Sequence, residues 1–201
     1  FNLFYFPDPI DWGSFKNQYN LMKFKVFRFK KVKSTNNTAI RIIKKNDCDF
    51  GMILSDIQTG GKGQYGRKWI SYKGNLFASF FYNLNNFDIS ISKLTKVNCM
   101  IVKKLLSKYY KKKIDFKKPN DLMVKEKKIC GILQETINKF DSNFLVVGIG
   151  INLIKNPVIK NYPTANLYDL VKKKVKKKII ENELKKIFEI NLIKFARKKV
   201  L

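Results

Sequence analysis

The sequence predicts an α+β fold, a sheet layered against helices, rather than a regular βαβ repeat. Short apolar runs rich in β-branched and aromatic residues are grouped together, helical periodicity is confined to three segments, and no internal repeat is visible. The 201 residues, 45% hydrophobic and 14% aromatic, fill one core well and two barely, so one catalytic-size domain is expected.

Residues 1–22, with Pro7, Pro9 and Gly13, read as a loop-like extension packed on that domain. The apolar start from Phe1 to Phe6 is cut short by Pro7 and Asp8, too early for a signal or a membrane span. The first residue is not Met, which points to a true N-terminus upstream or to processing. Phe24 to Val32 is β-prone, and Ser34-Thr35-Asn36 then offers capping side chains before Ala39, Ile42 and Ile43, the spacing of a short amphipathic helix. Met52 to Ile57 and Leu76 to Tyr82 read as buried strands separated by a glycine-rich stretch from Gly60 to Gly74. Ile91, Leu94, Val97, Ile101 and Leu105 mark a core-facing helix that ends in Lys111-Lys112-Lys113. Short strands are expected at 114–117, 122–125 and 129–136, with Lys125-Glu126-Lys127 as a hairpin turn, and then at Phe144 to Ile149. Beyond Pro163, the basic run Lys172–Lys178 precedes a last helical stripe of Ile180, Leu184, Ile187, Phe188 and Phe195.

Forty-two Lys and Arg stand against 15 Asp and Glu, a formal net charge of +27. Such a surface attracts polyanions or acidic proteins, although a Lys- and Asn-rich exterior is also what genome-wide base composition imposes on exposed positions. Cys48, Cys99 and Cys130 have no paired spacing, which supports neither a disulfide framework nor a zinc site and fits a reducing cytosol or organelle matrix. The absence of histidine removes Ser-His-Asp and Cys-His catalysis and any His-ligated zinc centre. Carboxylates, lysines, arginines, backbone amides and a metal ion remain.

The segment from Gly60 to Trp69 combines glycines, which let a backbone approach a ligand closely, with Lys62 and Arg67, which neutralise negative charge. Alone it says only that an anion is held, since neither P-loop nor Rossmann spacing occurs. Further along, Pro119-Asn120-Asp121 places an amide and a carboxylate at the start of a strand, where they could orient a metal ion bridging phosphates. Lys128, leading into Gly131-Ile132-Leu133, is returned toward the same place by hairpin geometry, and Gly148-Ile149-Gly150-Ile151-Asn152 closes another strand with small residues and an amide.

In this order the motifs resemble the biotin protein ligase family. S-T-N is matched by Ser34-Thr35-Asn36, a Gln by Gln58, G-R-x-W by Gly66-Arg67-Lys68-Trp69, and P-N-D, K-x-x-G-I-L and G-I-G-I-N follow. The resemblance runs from Ser34 to Asn152 and weakly into the last helix. It implies a class II synthetase-like catalytic domain over residues 23–201 with a mixed or antiparallel central sheet. It implies activation of biotin with ATP and Mg²⁺ to biotinyl-5′-adenylate and transfer to a lysine of a biotin carboxyl carrier domain of a biotin-dependent carboxylase. Ser34, Thr35, Asn36 and Gln58 would line the biotin pocket, with Gly61, Lys62, Gly63 and Gln64 closing over it and Gly131 and Gly148 allowing close approach. Lys62, Arg67, Trp69, Asn120, Lys128 and Asn152 would hold ATP and the adenylate. Lys128, Arg67 and Asp121 would be catalytic, and Asp121 would carry the Mg²⁺.

Departures from the pattern stand beside it. Lys62 and Gln64 occupy the two arginine positions of a loop that usually reads G-R-G-R, so the adenylate is expected to escape more readily. Lys118 stands where Trp is common. No helix-turn-helix module precedes Ser34, and the small C-terminal barrel of many members is expected to be lost or trimmed. A cytoplasmic enzyme, monomeric or homodimeric, without membrane or specific nucleic-acid partners, is the resulting expectation. Two rival readings are a lipoate or octanoate ligase or transferase of the same fold and, because of the charge, a basic nucleic-acid-binding protein.

Overall fold

The computed structural model describes residues 22–196, so the extension read over 1–22 lies, except for Met22, outside the described residues. The elements are β1 (Lys25–Val32), α1 (Thr35–Lys45), β2 (Phe50–Gln58), β3 (Gly61–Lys62), β4 (Lys68–Trp69), β5 (Leu76–Asn83), α2 (Ile91–Tyr109), β6 (Asp115–Lys117), β7 (Asp121–Val124), β8 (Lys127–Lys139), β9 (Ser142–Ile151), α3 (Leu167–Val171) and α4 (Lys177–Leu192). Seven strands form one sheet in the order β1-β2-β5-β9-β8-β7-β6, and β3 pairs with β4 apart from it. β1 and β2 are parallel, joined by α1 as the crossover a parallel pair requires, and the remaining pairs are antiparallel. The α+β expectation holds, with a mixed sheet.

Strand alternation divides the sheet into two chemically different faces. On one face Leu76, Ala78, Phe80 and Tyr82 of β5 and Leu145, Val147, Ile149 and Ile151 of β9 meet α2 and α4 through Leu94, Leu105, Leu184 and Phe188. The Phe80 and Phe188 rings stack there with centroids 4.0 Å apart. On the other face Ile53, Phe81, Phe144 and Val146 are covered by Ala39 and Ile43 of α1. Farther along β9 on this second face stand Gly148 and Gly150, and beside Gly150 on β8 is Gly131. The sheet runs out of side chains here, and the resulting hollow is the candidate site.

Boundaries moved where local signals are weak. α2 ends at Tyr109, just short of the Lys111-Lys112-Lys113 run expected to close it, and β8 and β9 are longer than expected, 13 and 10 residues. The Lys125-Glu126 turn is confirmed, with both residues at positive φ (47° and 61°), the left-handed pair that a two-residue hairpin needs. The glycine-rich stretch is more ordered than a loop, holding the β3–β4 pair and a 3-10 turn at Gln64–Gly66. Phe195, placed on the last helical stripe, sits in a 3-10 turn at Ile193–Phe195 after α4 has ended. The short α3 has too few residues for a periodic signal.

Candidate active site

A cavity of about 940 Å³ opens on the glycine-bearing face of the sheet. Its floor follows from register: Phe77, Gly150, Gly131 and Asp121 lie side by side across β5, β9, β8 and β7, and Ser79, Gly148 and Leu133 form the next row. Fifteen of the sixteen site residues expected from the sequence line this cavity, namely Ser34, Thr35, Asn36, Gln58, Lys62, Gly63, Gln64, Arg67, Trp69, Asn120, Asp121, Lys128, Gly131, Gly148 and Asn152. Gly61 does not. It pairs with Trp69 in the β3–β4 hairpin, buried behind the wall, where an added Cβ would come within 2.6 Å of the Trp69 carbonyl oxygen.

One end is a dense hydrogen-bonding corner at the start of α1. The Ser34 hydroxyl caps the helix by accepting from the Asn37 amide at 3.4 Å, which holds Thr35 and Asn36 at the cavity wall. Gln58 Oε1 accepts from the Thr35 backbone amide at 2.8 Å and from its hydroxyl at 3.0 Å, while Nε2 donates to Ser71 Oγ at 3.2 Å. Asn36 Oδ1 accepts from Ser79 Oγ at 2.6 Å and Nδ2 donates to Glu135 Oε2 at 2.7 Å. Only glycine fits beneath it, since a Cβ on Gly148 would lie 2.2 Å from Asn36 Oδ1.

The other end is aromatic. The Trp69 indole lies flat on β8 and β9, so close that a Cβ on Gly131 or Gly150 would come within 2.7 or 2.4 Å of the ring. Trp69 Nε1 and Asn152 Oδ1 are buried with no hydrogen-bond partner among the described residues, whereas Asn152 Nδ2 donates to the Ala165 carbonyl at 3.1 Å. A buried polar atom left unpaired costs about 1–3 kcal/mol, so this end is short of one acceptor and one donor that a bound planar, polar molecule would supply.

Between the ends stands Lys128, its ammonium 2.8 Å from Asp121 Oδ1, 5.3 Å from the Trp69 ring centroid and 5.6 Å from that of Tyr162. The Tyr162 hydroxyl donates to Asp121 Oδ2 at 2.5 Å, and burial together with the Asp121 carboxylate pushes its pKa up to about 12. Tyr162 was missed by sequence reasoning. It arrives on an irregular strap tied to β8 by backbone hydrogen bonds from Lys128 to Pro163 at 2.8 Å and from Ala165 to Lys128 at 2.9 Å. Ser79 and Glu135 were also missed, and Ser71, though seen to continue the glycine segment, was given no role; each is a common residue type whose partner is set by tertiary placement.

Lys62, Gly63, Gln64 and Arg67 sit at the mouth, where Arg67 lies 5.9 Å over the exposed Tyr65 ring and Lys62 pairs with Glu135 at 3.7 Å. The expected metal position fits a resident ion poorly. Asp121 Oδ2 accepts from Tyr162 and Oδ1, which accepts no hydrogen bond, is ion-paired with Lys128, Asn120 Nδ2 donates to the Ile132 carbonyl at 2.8 Å, and no group of three potential metal-ligating residues exists among the described residues. Magnesium at this site would have to be carried largely by ligand phosphates.

Comparison with known proteins gives a consistent set. The model of the biotin/lipoate A/B protein ligase family matches residues 27–152. The bifunctional ligase/repressor BirA of Escherichia coli is 34% identical over 102 residues, 50% of this chain and 32% of that protein. The chain thus spans about a third of the length of that relative. Among solved structures, the biotin protein ligase of Aquifex aeolicus in complex with biotin and ATP superposes with a TM-score of 0.73 at 31% identity, covering 87% of this chain and 72% of that one. The Leishmania major biotin protein ligase in complex with biotinyl-5-AMP shares the fold, with a TM-score of 0.74 at 21% identity over 86% of this chain and 76% of that one.

Proposed function

We propose that this chain, which belongs to the biotin/lipoate A/B protein ligase family, activates biotin with ATP and transfers it to a lysine of a carrier protein. The observation that carries the reading is one cavity with two chemically different ends meeting at Lys128. The corner formed by Thr35, Asn36 and Gln58 suits the cyclic urea of biotin, whose carbonyl accepts and whose N–H groups donate. The Trp69 and Asn152 end suits an adenine, which stacks on an indole and offers both donors and acceptors on its edge.

Such a ligase works without histidine because of how the first step is balanced. An oxygen of the biotin carboxylate, already ionised at neutral pH, attacks the α-phosphorus, the bond to the β-phosphate breaks, and pyrophosphate leaves with the electron pair. No proton moves, so the protein supplies alignment and positive charge rather than a base. Lys128 provides the central charge, with Lys62 and Arg67 at the mouth. In the second step the carrier amine attacks the acyl carbon, its bond to the adenylate oxygen breaks, and AMP leaves. The amine first gives up a proton, to solvent or to Asp121, whose two oxygens Lys128 and Tyr162 must then release.

The cysteine route of acyl transferases is disfavoured by the site itself. Burial pushes the Cys130 thiol well above its usual range and Cys99 up to about 12, the opposite of what a nucleophilic thiolate requires. Incubation with ATP, Mg²⁺, biotin and a biotin carboxyl carrier domain, followed by mass spectrometry of the carrier, is expected to show one biotinylated lysine. Modification with lipoate but not biotin would overturn the reading.

A further inference from the structure

Glu135 sits on β8 two residues beyond Leu133, with its carboxylate between two parts of the site that are far apart in sequence. Oε2 accepts from Asn36 Nδ2 at 2.7 Å, in the buried corner. Oε1 lies 3.7 Å from Lys62 Nζ, at the mouth, where the side chains of Lys62 and Glu135 are 44% and 28% exposed. A second hollow of about 500 Å³ lies between the 62–67 segment and β8, lined on the sheet side by Leu133 and Glu135. The segment therefore has room to move, and the described residues give it a single ion pair to β8. At its apex Tyr65 holds a left-handed conformation (φ 54°) and points to solvent, so the turn has no apolar anchor of its own.

We propose that Glu135 is a positioning residue that couples the glycine segment to the buried corner: one oxygen fixes the amide of Asn36, the other latches Lys62 and so governs how long the acyl-adenylate is retained. The inference rests on the function proposed above. Because Asn36 is also held by Ser79, and cannot shift toward β9 for want of room over Gly148, its amide has one orientation, with nitrogen toward Glu135. Loss of the carboxylate charge therefore releases the mouth and leaves the corner in place, whereas loss of the whole side chain disturbs both.

Two substitutions separate these effects. Glu135→Gln keeps an oxygen that accepts from Asn36 but has no charge for Lys62; Glu135→Ala removes both. Glu135→Gln and Lys62→Ala are each expected to speed release of the adenylate in a chase experiment by about two- to fivefold, the range of a half-exposed ion pair. The double variant should be no faster than either single one, because both remove the same contact. Glu135→Ala should in addition weaken biotin binding in calorimetry, which Glu135→Gln leaves within about twofold. Additive effects of Glu135→Gln and Lys62→Ala, or unchanged release in both, would overturn the latch. Amide hydrogen exchange over residues 61–67 tests it without any ligand: Glu135→Gln is expected to accelerate exchange there. If exchange responds while no adenylate forms in the parent protein, the ligase reading and with it the role in adenylate retention have failed, and only the Glu135–Lys62 tether on the segment stands; unchanged exchange removes the tether as well.

Discussion

Gly148 and Gly150 stand two residues apart on β9, on the same face of the sheet, yet the proposed function assigns them to different ligands. Their alanine variants should therefore dissociate biotin from ATP. At Gly148 a Cβ would lie 2.2 Å from Asn36 Oδ1 and 2.9 Å from its Cγ. At Gly150 it would lie 2.4 to 2.8 Å from three atoms of the Trp69 indole. β9 is bonded on both sides, to β5 and β8, so its backbone cannot retreat and the opposing side chain must yield. Asn36 would give up its hydrogen bonds to Ser79 and Glu135; Trp69, carried on the two-residue β4, would lift from the floor with its hairpin. Overpacking of this kind costs about 1–3 kcal/mol. If most of it falls on the displaced side chain, the corresponding affinity drops about 5- to 150-fold at about 1.4 kcal/mol per tenfold. Calorimetric titration of each variant with biotin and with a non-hydrolysable ATP analogue measures both constants, and tryptophan emission reports Trp69 displacement in the second variant. Gly148→Ala should lose biotin and keep the nucleotide, and Gly150→Ala the reverse. Equal losses of both ligands in both variants, with thermal midpoints unchanged, would refute a cavity of two separate ends.

Three further outcomes are expected. Lys128→Ala removes the cation paired with Asp121 between the two ends and should lower adenylate formation at least tenfold in a pyrophosphate-release assay, with transfer from preformed adenylate less affected; adenylation at the parent rate would exclude the role. Cys130→Ala should retain transfer activity within about twofold and lower stability by about 1 kcal/mol, since the thiol is wholly buried on the face away from the cavity; loss of transfer with intact biotin binding would restore the thiol route. Tyr162 holds its proton to about 12 in the folded protein against an ordinary 10.0, so its contribution to stability is complete below pH 10 and is lost as pH rises toward 12. Urea unfolding at pH 9, 10 and 11 should accordingly show a shallower alkaline decline for Tyr162→Phe than for the parent, and identical slopes would count against the Asp121 contact.

What the sequence made legible is what local chemistry determines. Ser34 followed by apolar residues at helical spacing signals a capped helix, and the cap is what carries Thr35 and Asn36 to the cavity. Gly131, Gly148 and Gly150 were visible as small residues in strands, but their pairing across β8 and β9 is a property of register, which no single segment encodes. Tyr162 left no trace because it reaches Asp121 from 41 residues away on a strap held by backbone hydrogen bonds, whose donors and acceptors every residue possesses. Glu135 was hidden for a related reason: a polar residue in an alternating strand ordinarily faces water, and here it faces a site. Gly61 erred in the opposite direction, since a glycine in an anion-binding stretch also serves close packing of backbone on backbone.

In the absence of ligand the Lys128–Asp121 pair competes with the very anions the site is proposed to bind. A carboxylate or phosphate approaching Lys128 must displace or share the Asp121 oxygen at 2.8 Å, so Lys128 contributes less to ground-state binding than an unpaired lysine would. That weakness is favourable for rate. Interactions that strengthen only as charge accumulates at phosphorus lower the barrier, whereas equally tight binding of substrate would not. The two aromatic faces near the ammonium, Trp69 and Tyr162, and the hydroxyl that Tyr162 donates to Asp121 keep the pair aimed without fully satisfying it. In the proposed reaction a histidine-free site would replace a movable proton with a movable ion pair, which is sufficient for acyl-adenylate formation because no proton is transferred in that step.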